Sequence, residues 1–549
     1  MLGSMQHTPL LISSLIAHAA ENHAATEIIS KDQDGEIERS DWAHVGLRAR
    51  KIANTLARLG VGSGDRVASL AWNRLPHLEL YFGVTGAGVV LHTVNPRLFP
   101  EQIRYMIHHA EDSHVFVDPD LLSVAEKVAP ELPEVKSWIV LAKRNQMPAS
   151  TIPNLLCYED LLAAESDDYT WPLIDENSAS TLCYTSGTTG NPKGVLYSHR
   201  SALLHAFCAI AADGMALTAQ DSVFLATPLY HVNAWGVPFA AAMAGSKLVL
   251  PGSALDGRSI YEFMRDERCT FSLGVPTVWL SFLDHVERNT GPEERKLFTL
   301  RRVLSGGAAV PRALVERFDQ LLRVELIHAW GMTETSPLAT VCRPLAKHEH
   351  LDEKARTDLR ATQGRAVFGI ELRIEDAEGV PIARDGRSTG ELLVRGPWVA
   401  SGYFKEESNQ ACRSDGWFAT GDIARLDSDG FLQITDRSKD IIKSGGEWIS
   451  SIELENAALD HPAVAEAAVI AVSHPRWQER PLLIIRINEE YELDAMTILS
   501  FLAERVARWW LPDDVVFVDE LPHTATGKLL KSELRVRYRD HLLRANDRP

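Results

Sequence analysis

Short apolar runs alternate with amphipathic windows through the first half of the chain. Leucine and isoleucine side chains recur at helical spacing between residues 47 and 59, which predicts a helix. From residue 64 to about residue 276, strand-like runs alternate with helical windows, which predicts α/β layers on largely parallel sheets; a large mixed α+β domain is the alternative. The strand-like runs are residues 66–71, 114–117, 137–141, 223–227, 247–250 and 270–275.

The pattern changes after residue 371. Short strands separated by polar turns are predicted at residues 371–374, 390–395 and 431–434, which is typical of an antiparallel subdomain. A polar, charged segment at residues 437–440 then precedes a compact unit, and a domain boundary is predicted at residues 436–439. In that unit the pattern predicts helices from residue 452 and over residues 497–508, and strands over residues 464–472 and 515–518.

We therefore predict an α/β fold of two domains. The first, residues 1–436, combines layered α/β sheets with a β subdomain, and the second, residues 437–549, is a small α+β domain. A chain of 549 residues is too long for one ordinary core, which supports this division. Because a short linker between a large and a small domain suits hinge motion, the second domain is predicted to be mobile.

Charge and composition exclude several classes of protein. The net charge of −18 argues against nucleic acid or an anionic membrane as a partner, so a phosphate site has to be built from a few placed cations. No apolar run reaches transmembrane length and no secretory leader is evident, so no integral membrane association is expected. Scattered single cysteines favour reduced thiols in a cytoplasmic protein over zinc ligands. They are Cys157, Cys183, Cys208, Cys269, Cys342 and Cys412.

Residues 185–194, Thr-Ser-Gly-Thr-Thr-Gly-Asn-Pro-Lys-Gly, form the densest group of candidate ligand-binding residues. They follow the strand-like run 179–184 and contain four hydroxyl side chains, three glycines and Lys193. Glycines let backbone N–H groups approach a ligand closely, and the hydroxyl and ammonium groups are further donors, which suits a polyphosphate. The loop departs from the Walker A pattern, because two residues separate its second glycine from Lys193. A solvated turn is the alternative.

Two candidate groups follow predicted strands. Ligands of α/β sheets bind at the carboxyl ends of strands, which is where residues 328–335 lie. Trp330 is suited to stack on a purine, and Glu334 to hold Mg²⁺ against phosphates, since Mg²⁺ takes one or two carboxylates plus phosphate oxygens. A core tryptophan and a helix N-cap are the alternative. The paired glycines of residues 305–308 permit close approach of a flat ring or a carboxylate.

Two single residues complete the candidate site. Asp422 ends the stretch 415–422 beside a glycine turn and could accept both ribose hydroxyls of a nucleotide, although a turn-capping role explains it equally well. Lys528 lies on the glycine-containing loop 524–528 and could deliver a point charge into a site on another domain. A solvated surface lysine is the alternative for Lys528.

The order of these motifs resembles that of the adenylate-forming superfamily, which contains acyl-CoA synthetases, peptide-synthetase adenylation domains and luciferases. The matching segments cover nearly the whole chain. They are residues 184–194, 228–235, 305–308, 330–334, 420–422, 436–437, 443–448 and 527–528. Residues 228–235 and 443–450 are most similar to the fatty-acyl-CoA ligase branch, and within it to medium- and long-chain ligases and 3-(methylthio)propionyl-CoA ligases.

This resemblance implies a two-step reaction. A carboxylate attacks the α-phosphate of Mg·ATP, giving an acyl-adenylate and diphosphate; the small domain then rotates, and the CoA thiol displaces AMP. Such chemistry depends mainly on positioning and charge stabilisation. The implied catalytic residues are Lys528, which bridges the substrate carboxylate and the α-phosphate, Glu334 and His231. The resemblance also implies Asp436 as the hinge and Glu334 with Thr185 as the metal site.

The resemblance also implies the binding residues. ATP and AMP would contact Thr185, Ser186, Gly187, Thr188, Thr189, Lys193, Gly307, Ala308, His328, Ala329, Trp330, Gly331, Met332, Thr333, Asp422 and Arg437. The acyl pocket would contain His231, Trp235, Gly306 and Gly307, and CoA would contact Lys443, Ser444, Gly445, Gly446, Glu447 and Trp448. Two positions depart from the family pattern: Trp330 where tyrosine is common, and Gln478 where many relatives have glycine.

Trp235 is bulky enough to wall off the acyl tunnel. We therefore expect a short or medium acid such as 3-(methylthio)propionate, which would place the protein in dimethylsulfoniopropionate catabolism. If Trp235 is a gate, a long-chain fatty-acid–CoA ligase is the alternative. An adenylating enzyme that loads a carrier protein, a luciferase-type oxygenase and an inactive ligand-binding protein are further alternatives. The family resemblance implies a cytoplasmic homodimer.

Overall fold

Helices and strands alternate through the first part of the chain and give way to antiparallel strands near its middle. The computed structural model describes residues 3–185, 191–296, 298–406, 411–444, 447–488, 491–523 and 529–545. Its helices are α1 (Ile12–Asn22), α2 (Trp42–Arg58), α3 (Leu75–Gly86), α4 (Pro100–Ala110), α5 (Leu122–Val128), α6 (Tyr158–Ala163), α7 (His199–Ile210), α8 (Val232–Trp235), α9 (Val237–Ala244), α10 (Gly257–Asp266), α11 (Pro276–Asn289), α12 (Pro292–Lys296), α13 (Arg312–Leu322), α14 (Glu353–Arg360), α15 (Ser451–Leu459), α16 (Ala495–Ala503), α17 (Lys531–Tyr538) and α18 (His541–Ala545).

The strands form three sheets within the described residues. They are β1 (Glu27–Lys31), β2 (Ile37–Asp41), β3 (Arg66–Leu70), β4 (Val90–Thr93), β5 (His114–Val117), β6 (Ser137–Val140), β7 (Leu155–Cys157), β8 (Ala179–Tyr184), β9 (Gly194–Ser198), β10 (Ser222–Phe224), β11 (Lys247–Leu250), β12 (Phe271–Gly274), β13 (Arg302–Ser305), β14 (Glu325–Gly331), β15 (Leu338–Val341), β16 (Gly364–Ala366), β17 (Glu371–Glu375), β18 (Gly390–Arg395), β19 (Phe418–Leu426), β20 (Phe431–Arg437), β21 (Ile442–Ser444), β22 (Glu447–Ile449), β23 (Val464–His474), β24 (Gln478–Ile487) and β25 (Asp514–Phe517).

The largest sheet has thirteen strands in its described part, in the order β17-β18-β19-β20-β16-β15-β14-β13-β12-β10-β11-β1-β2. Strand β14 joins its two halves, because it runs parallel to β13 and antiparallel to β15. Parallel neighbours need a crossover connection, and α10, α11 and α13 supply it here. Their apolar faces pack in one core through buried side chains that include Ile260, Trp279 and Phe318.

A second sheet of seven described strands has the order β7-β6-β5-β3-β4-β8-β9. Its strands are parallel except for the β8–β9 hairpin. Helix α2 begins at the N-cap Asp41, whose side chain accepts a hydrogen bond from the backbone N–H of His44, and it buries Val45, Ala49, Ile52 and Leu56. This repeat of three and four residues is the spacing that places side chains on one helical face.

The C-terminal unit contains the third sheet, in the order β22-β21-β24-β23, with β25 parallel to β24. Helix α15 packs on one face of this sheet and helix α17 on the other, each with its own apolar core. The two faces separate because successive strand side chains point to opposite sides. Val469 and Leu483 belong to the first core, and Ile470 and Leu482 to the second.

The predicted α/β class with a β subdomain and a small α+β unit is confirmed. The predicted strands 114–117, 247–250 and 390–395 coincide with β5, β11 and β18. The charged segment that we predicted as a linker differs: Asp436 and Arg437 belong to β20 and pair with Ile423 and Asp422 of β19. The charge pattern does not reveal this pairing, because Asp436 and Arg437 bond to the buried residues Ser451 and Asp422. In the described ranges, no helix combines the length and the apolar character that a membrane crossing requires.

Candidate functional site

A cavity of about 610 Å³ lies where the carboxyl ends of β13 and β14 meet the antiparallel strands and the C-terminal unit. This edge is where α/β sheets bind ligands. The predicted residues that line it are Thr185, Lys193, His231, Trp235, Gly306, Gly307, Ala308, His328, Ala329, Trp330, Gly331, Met332, Thr333, Glu334, Asp422, Asp436 and Arg437. We call its two ends the Asp422 end, which includes Trp330 and Glu334, and the Trp235 end, which includes His231 and Gly306.

Asp422 is fixed by two donors. The indole Nε1 of Trp330 donates to its Oδ2 over 3.1 Å, and Nε of Arg437 lies 2.7 Å from its Oδ1. Asp422 is 2% exposed, and both donors are on strands that border the cavity. Because each carboxylate oxygen can accept more than one hydrogen bond, a carboxylate held in this position suits the hydroxyl groups of a ligand.

Tyr403 contacts both Glu334 and Lys193, a cation from the β8–β9 loop. The hydroxyl of Tyr403 donates to its Oε1 over 2.6 Å, and its backbone carbonyl accepts from the N–H of Ala400 at 2.7 Å. Nζ of Lys193 lies 4.8 Å from the centre of the Tyr403 ring and 3.1 Å from Oε2 of Glu406. Burial, and next the Glu334 carboxylate, raises the pKa of Tyr403, so its hydroxyl remains a donor.

The β8–β9 hairpin presents the predicted phosphate loop. Tyr184 pairs with Gly194 across the hairpin, and the N–H of Thr185 donates to the carbonyl of Lys193 over 2.9 Å. These bonds hold both ends of the loop together at the cavity. Residues 186–190, which include four predicted phosphate ligands, lie outside the described residues.

The ends of β13 and β14 approach each other too closely for side chains. A Cβ atom on Gly306 would lie 2.7 Å from the carbonyl oxygen of Ala329, and Gly307 has a φ of +79°. Beside them, Nδ1 of His328 donates to the carbonyl of Ala361 over 2.9 Å. Burial lowers the pKa of His328 to about 4, so its imidazole is neutral near pH 7.

The Trp235 end is built on a left-handed turn, α8. Its φ angles are 42° at Val232, 55° at Asn233, 47° at Ala234 and 57° at Trp235. This conformation costs about 1–2 kcal/mol for each L-residue, so tertiary contacts have to hold it. Asn233 supplies them: its Nδ2 donates to Oγ1 of Thr181 over 3.0 Å, and its Oδ1 accepts from the Tyr81 hydroxyl at 3.3 Å.

The turn places the Trp235 indole across the apolar end of the cavity. Trp235 is 7% exposed, and its Cη2 lies 3.5 Å from the position that a Cβ of Gly306 would occupy. The apolar side chains of Met215 and Val232 line the same end. The indole therefore packs against the end of β13 and forms part of the cavity wall on this side.

The predicted hinge residue binds the C-terminal unit. Oδ2 of Asp436 accepts from the N–H of Ser451 at 2.6 Å, and Oδ1 accepts from the Ser451 hydroxyl at 3.0 Å. Burial raises the pKa of Asp436 to about 6. Two residues further on, the N–H of Ser438 donates to the carbonyl of Gly421 over 3.0 Å. Bonds to both parts of the chain therefore meet at residues 436–438.

The two predicted CoA residues whose side chains the structure describes, Lys443 and Ser444, are not brought to the cavity. The backbone N–H of Lys443 donates to Oε2 of Glu479 over 2.8 Å, and Oγ of Ser444 accepts from Arg480 at 3.2 Å; neither residue lines the cavity. Gly445, Gly446 and the predicted catalytic Lys528 lie outside the described residues, as do the side chains of Glu447 and Trp448. Gln478, the departure from the family pattern, has a φ of 69°, a conformation that favours glycine.

Among the residues that the sequence did not predict, three are notable for their contacts or position in the site. Tyr403 holds Glu334, Asn233 holds the left-handed turn, and Lys531 lines the cavity from the C-terminal unit. Asn233 and Lys531 lie in or beside segments that we had singled out, but an asparagine or a lysine in a loop is too common to signal its partner. Tyr403 follows a glycine in a polar loop, which is equally common.

Comparison with known proteins gives matches over nearly the whole chain. The family model described as AMP-binding enzyme matches residues 16–404, and the model of the AMP-binding enzyme C-terminal domain matches residues 453–528. The medium-chain-fatty-acid–CoA ligase of Ectopseudomonas oleovorans is 48% identical over 546 residues, which cover 100% of this chain and 99% of that protein. The 3-methylmercaptopropionyl-CoA ligase of Ruegeria pomeroyi is 48% identical over 542 residues, covering 99% of this chain and 100% of that protein.

Two more distant matches agree with these. The long-chain-fatty-acid–CoA ligase of Thermus thermophilus is 43% identical over 540 residues, covering 98% of this chain and 97% of that protein. The crystal structure of an anthranilate CoA ligase in complex with anthranoyl-AMP superimposes with a TM-score of 0.86 at 25% identity, covering 99% of this chain and 100% of that one. Motif order, fold and sequence identity lead to the same assignment, and the chain belongs to the AMP-binding enzyme family.

Proposed function

We propose that the protein is an AMP-forming acyl-CoA ligase. It converts a carboxylic acid, ATP and CoA to acyl-CoA, AMP and diphosphate through an acyl-adenylate. The observation that carries this proposal is one cavity with a held carboxylate and an indole at one end, Asp422 and Trp330, and an apolar end closed by Trp235. Its volume of about 610 Å³ is within the range of small-molecule sites, which suits an adenylate with a modest acyl group.

In the first half-reaction, ATP occupies the Asp422 end. Trp330 stacks on adenine, Asp422 accepts the ribose hydroxyls, and Arg437 lies near the ribose and phosphate. The loop from Thr185 to Lys193 binds the β- and γ-phosphates. An oxygen of the acid forms a bond to the α-phosphorus while the bond to diphosphate breaks, and Lys528 stabilises the charge between acid and phosphate.

The residues at the Asp422 end fit Mg²⁺. Mg²⁺ is usually held by one or two carboxylates together with phosphate oxygens, and Glu334 is a buried carboxylate oriented by Tyr403. Among the described residues, no group of three His, Cys, Asp or Glu side chains could hold a metal by itself, so phosphate oxygens are needed to complete the ligand set. Glu334 and Thr185 would hold the ion, which would neutralise charge on the phosphates.

The acid occupies the Trp235 end, with His231 and Gly307 at its entry. The buried Trp235 indole lies against Gly306, and its role as a wall that limits the acyl group would favour a short or medium acid. The two relatives at 48% identity are named for medium-chain fatty acids and 3-methylmercaptopropionate, and the long-chain relative is less similar. A medium-chain fatty acid or 3-(methylthio)propionate is therefore the proposed substrate; the latter would place the protein in dimethylsulfoniopropionate catabolism.

In the second half-reaction, the thiol of CoA attacks the acyl carbon and AMP leaves. Residues 443–448 are proposed to contact CoA, with Gly445 and Gly446 beside the pantetheine chain. Since Lys443 and Ser444 lie away from the cavity, this role requires rotation of a C-terminal domain, residues 437–549, about Asp436. The same family relationship favours a cytoplasmic protein that forms a homodimer. Light scattering after size-exclusion chromatography would test the homodimer.

The experiment that tests the function is AMP release with Mg·ATP and CoA across straight-chain acids from acetate to palmitate, together with 3-methylthiopropionate. We expect an optimum at short, medium or thioether acids, with acyl-CoA formed in equal amount to AMP. A reaction without CoA is the control. Higher kcat/KM for palmitate than for acids of propionate size would support the long-chain alternative and make Trp235 a gate.

Other outcomes would contradict the proposal. Adenylate formation without transfer to CoA, but with transfer to a carrier protein, would indicate a carrier-loading enzyme. Light emission with a luciferin, ATP and oxygen would indicate a luciferase-type oxygenase. Absence of AMP with every acid would indicate an inactive member of the family.

A further inference from the structure

Lys531 has an unusual position for a lysine. It is the first residue of α17, where a cation faces the positive end of the helix dipole. Its side chain is 10% exposed, although burial of an ammonium group is unfavourable unless the group is paired. Its position therefore depends on partners from other parts of the fold.

The partners of Lys531 are on helix α15. Its Nζ lies 2.7 Å from Oε1 of Glu455 and donates to Oγ of Ser451, also over 2.7 Å. The same oxygen of Glu455 accepts from the backbone N–H of Val469 on β23 at 2.7 Å. Glu455 is thus fixed by the sheet, and it fixes the first turn of α17 against α15.

The hydrogen bonds continue from Ser451 to Asp436, the proposed hinge residue. Both the N–H and the hydroxyl of Ser451 donate to its carboxylate. One helical turn after Lys531, the guanidinium of Arg535 forms an ion pair with Asp440. Helix α17 is therefore connected to the segment 436–440 at two points, through Ser451 and through Arg535.

The start of α17 also borders the cavity. Leu529, Leu530 and Lys531 line the same volume as Asp422 and Arg437. Fixing residue 531 therefore also restrains the two residues before it, which form part of the cavity wall. The bonds of Lys531 therefore determine where the segment before α17 meets the Asp422 end.

We propose that Lys531 is a positioning residue for adenylate formation, because it joins Glu455 and Ser451 and thereby fixes the segment that follows Lys528 relative to the hinge. Its proposed role is exerted through Glu455 and Ser451 and not through a bond to a reactant. The inference rests on the proposed ligase function, in which Lys528 acts only in the first half-reaction. Loss of the Lys531 contacts therefore affects adenylate formation and spares thioester formation, for which the C-terminal domain has rotated.

The test compares K531M, K531R and K354M with the wild type in the two half-reactions. Lys354 is an exposed lysine of α14, 76% exposed, so K354M controls for loss of a positive charge. Acid-dependent exchange of diphosphate into ATP reports the first half-reaction, and acyl-CoA formation from added acyl-adenylate and CoA reports the second. The acid is octanoate or 3-methylthiopropionate, whichever gives more AMP with the wild type.

We expect K531M to lower the exchange rate about 10-fold to 100-fold, the range that follows small misplacements of a catalytic group, while acyl-CoA formation changes less than about threefold. K531R, which keeps the charge, recovers most of the exchange rate, and K354M behaves as the wild type. Equal losses in both half-reactions, or an unchanged exchange rate, would overturn the role of Lys531.

A second variant tests the proposal independently in case K531M folds poorly. S451A keeps the Lys531–Glu455 ion pair and removes the hydroxyl that joins it to Asp436, and we expect a smaller loss confined to exchange. An S451A protein with unchanged exchange would overturn the proposal. If the wild type exchanges diphosphate with no acid, the ligase function itself fails, and the role of Lys531 fails with it.

Discussion

At the Asp422 end of the cavity, side chains are held by direct bonds between charged and polar groups, whereas the Trp235 end rests on a strained turn that one buried amide holds in place. Asp422 bonds to Trp330 and Arg437, and Glu334 bonds to Tyr403. Across the cavity, Trp235 is positioned by the left-handed turn around Asn233.

This difference corresponds to the two substrates that we propose. ATP is the same for every member of the family, so a rigid, hydrogen-bonded end suits it. Acids differ in length, and an apolar wall on a turn can change without disturbing the phosphate chemistry. Changes at the Asp422 end are therefore expected to affect all acids equally, and changes at the Trp235 end to affect the choice among acids.

The largest effect is expected at Lys528, the proposed catalytic residue of the first half-reaction. K528A removes the cation proposed to bridge the acid and the α-phosphate, and loss of one transition-state donor costs about 10²–10³-fold in rate. Diphosphate exchange is expected to fall by this factor with every acid, while thioester formation from acyl-adenylate stays nearly normal. An equal loss in both half-reactions would contradict domain rotation.

The next largest effect is expected at Glu334. E334Q keeps a hydrogen-bond acceptor for Tyr403 and removes the charge, so AMP release is expected to fall about 100-fold, with a higher Mg²⁺ concentration at half-maximal rate. Y403F, which removes only the hydrogen bond, gives a smaller loss, and E378Q at an exposed glutamate is the control. If the loss of AMP release in E334Q depended on the length of the acid, the proposed division of the cavity into an ATP end and an acid end would be wrong.

A change at Trp235 is expected to alter selectivity instead. W235A lengthens the apolar end, and one methylene is worth about 10-fold or more in such pockets, so kcat/KM for long acids relative to short ones is expected to rise about tenfold. KM for ATP remains as in the wild type. W509A, which truncates a partly exposed tryptophan of the C-terminal unit, is the control. If the relative kcat/KM values for long and short acids were unchanged in W235A, the Trp235 indole would not be the group that limits acid length.

The smallest effect is expected at Asn233. N233A leaves Oγ1 of Thr181 without its donor and weakens the turn, which is expected to destabilise the large domain by about 1–3 kcal/mol. The melting temperature falls, and the acid profile broadens about threefold, whereas N22A at a helix end near the surface changes neither. A sharper profile in N233A would contradict the role of the amide.

The sequence predicted the Asp422 end better than the Trp235 end. Trp330, Glu334 and Asp422 follow strand-like runs or glycine turns, and the family order of the motifs brought them together before any contact was known. The left-handed turn could not be predicted, since Val232, Ala234 and Trp235 all disfavour a positive φ. The hinge was placed in a linker because local charge does not reveal that Asp436 belongs to β20 and pairs with Ile423 of β19.

Hydrophobic periodicity and motif order by themselves determined the α/β class, the two-part organisation, the family and a group of the residues that line the cavity. These features depend on local spacing, which the chain carries directly. The tertiary structure decided which side chains hold the site: Tyr403 on Glu334, Asn233 on the turn, and Lys531 with Ser451 on Asp436. Such pairs join residues far apart in the chain, and only the packing of whole domains brings them within hydrogen-bonding distance.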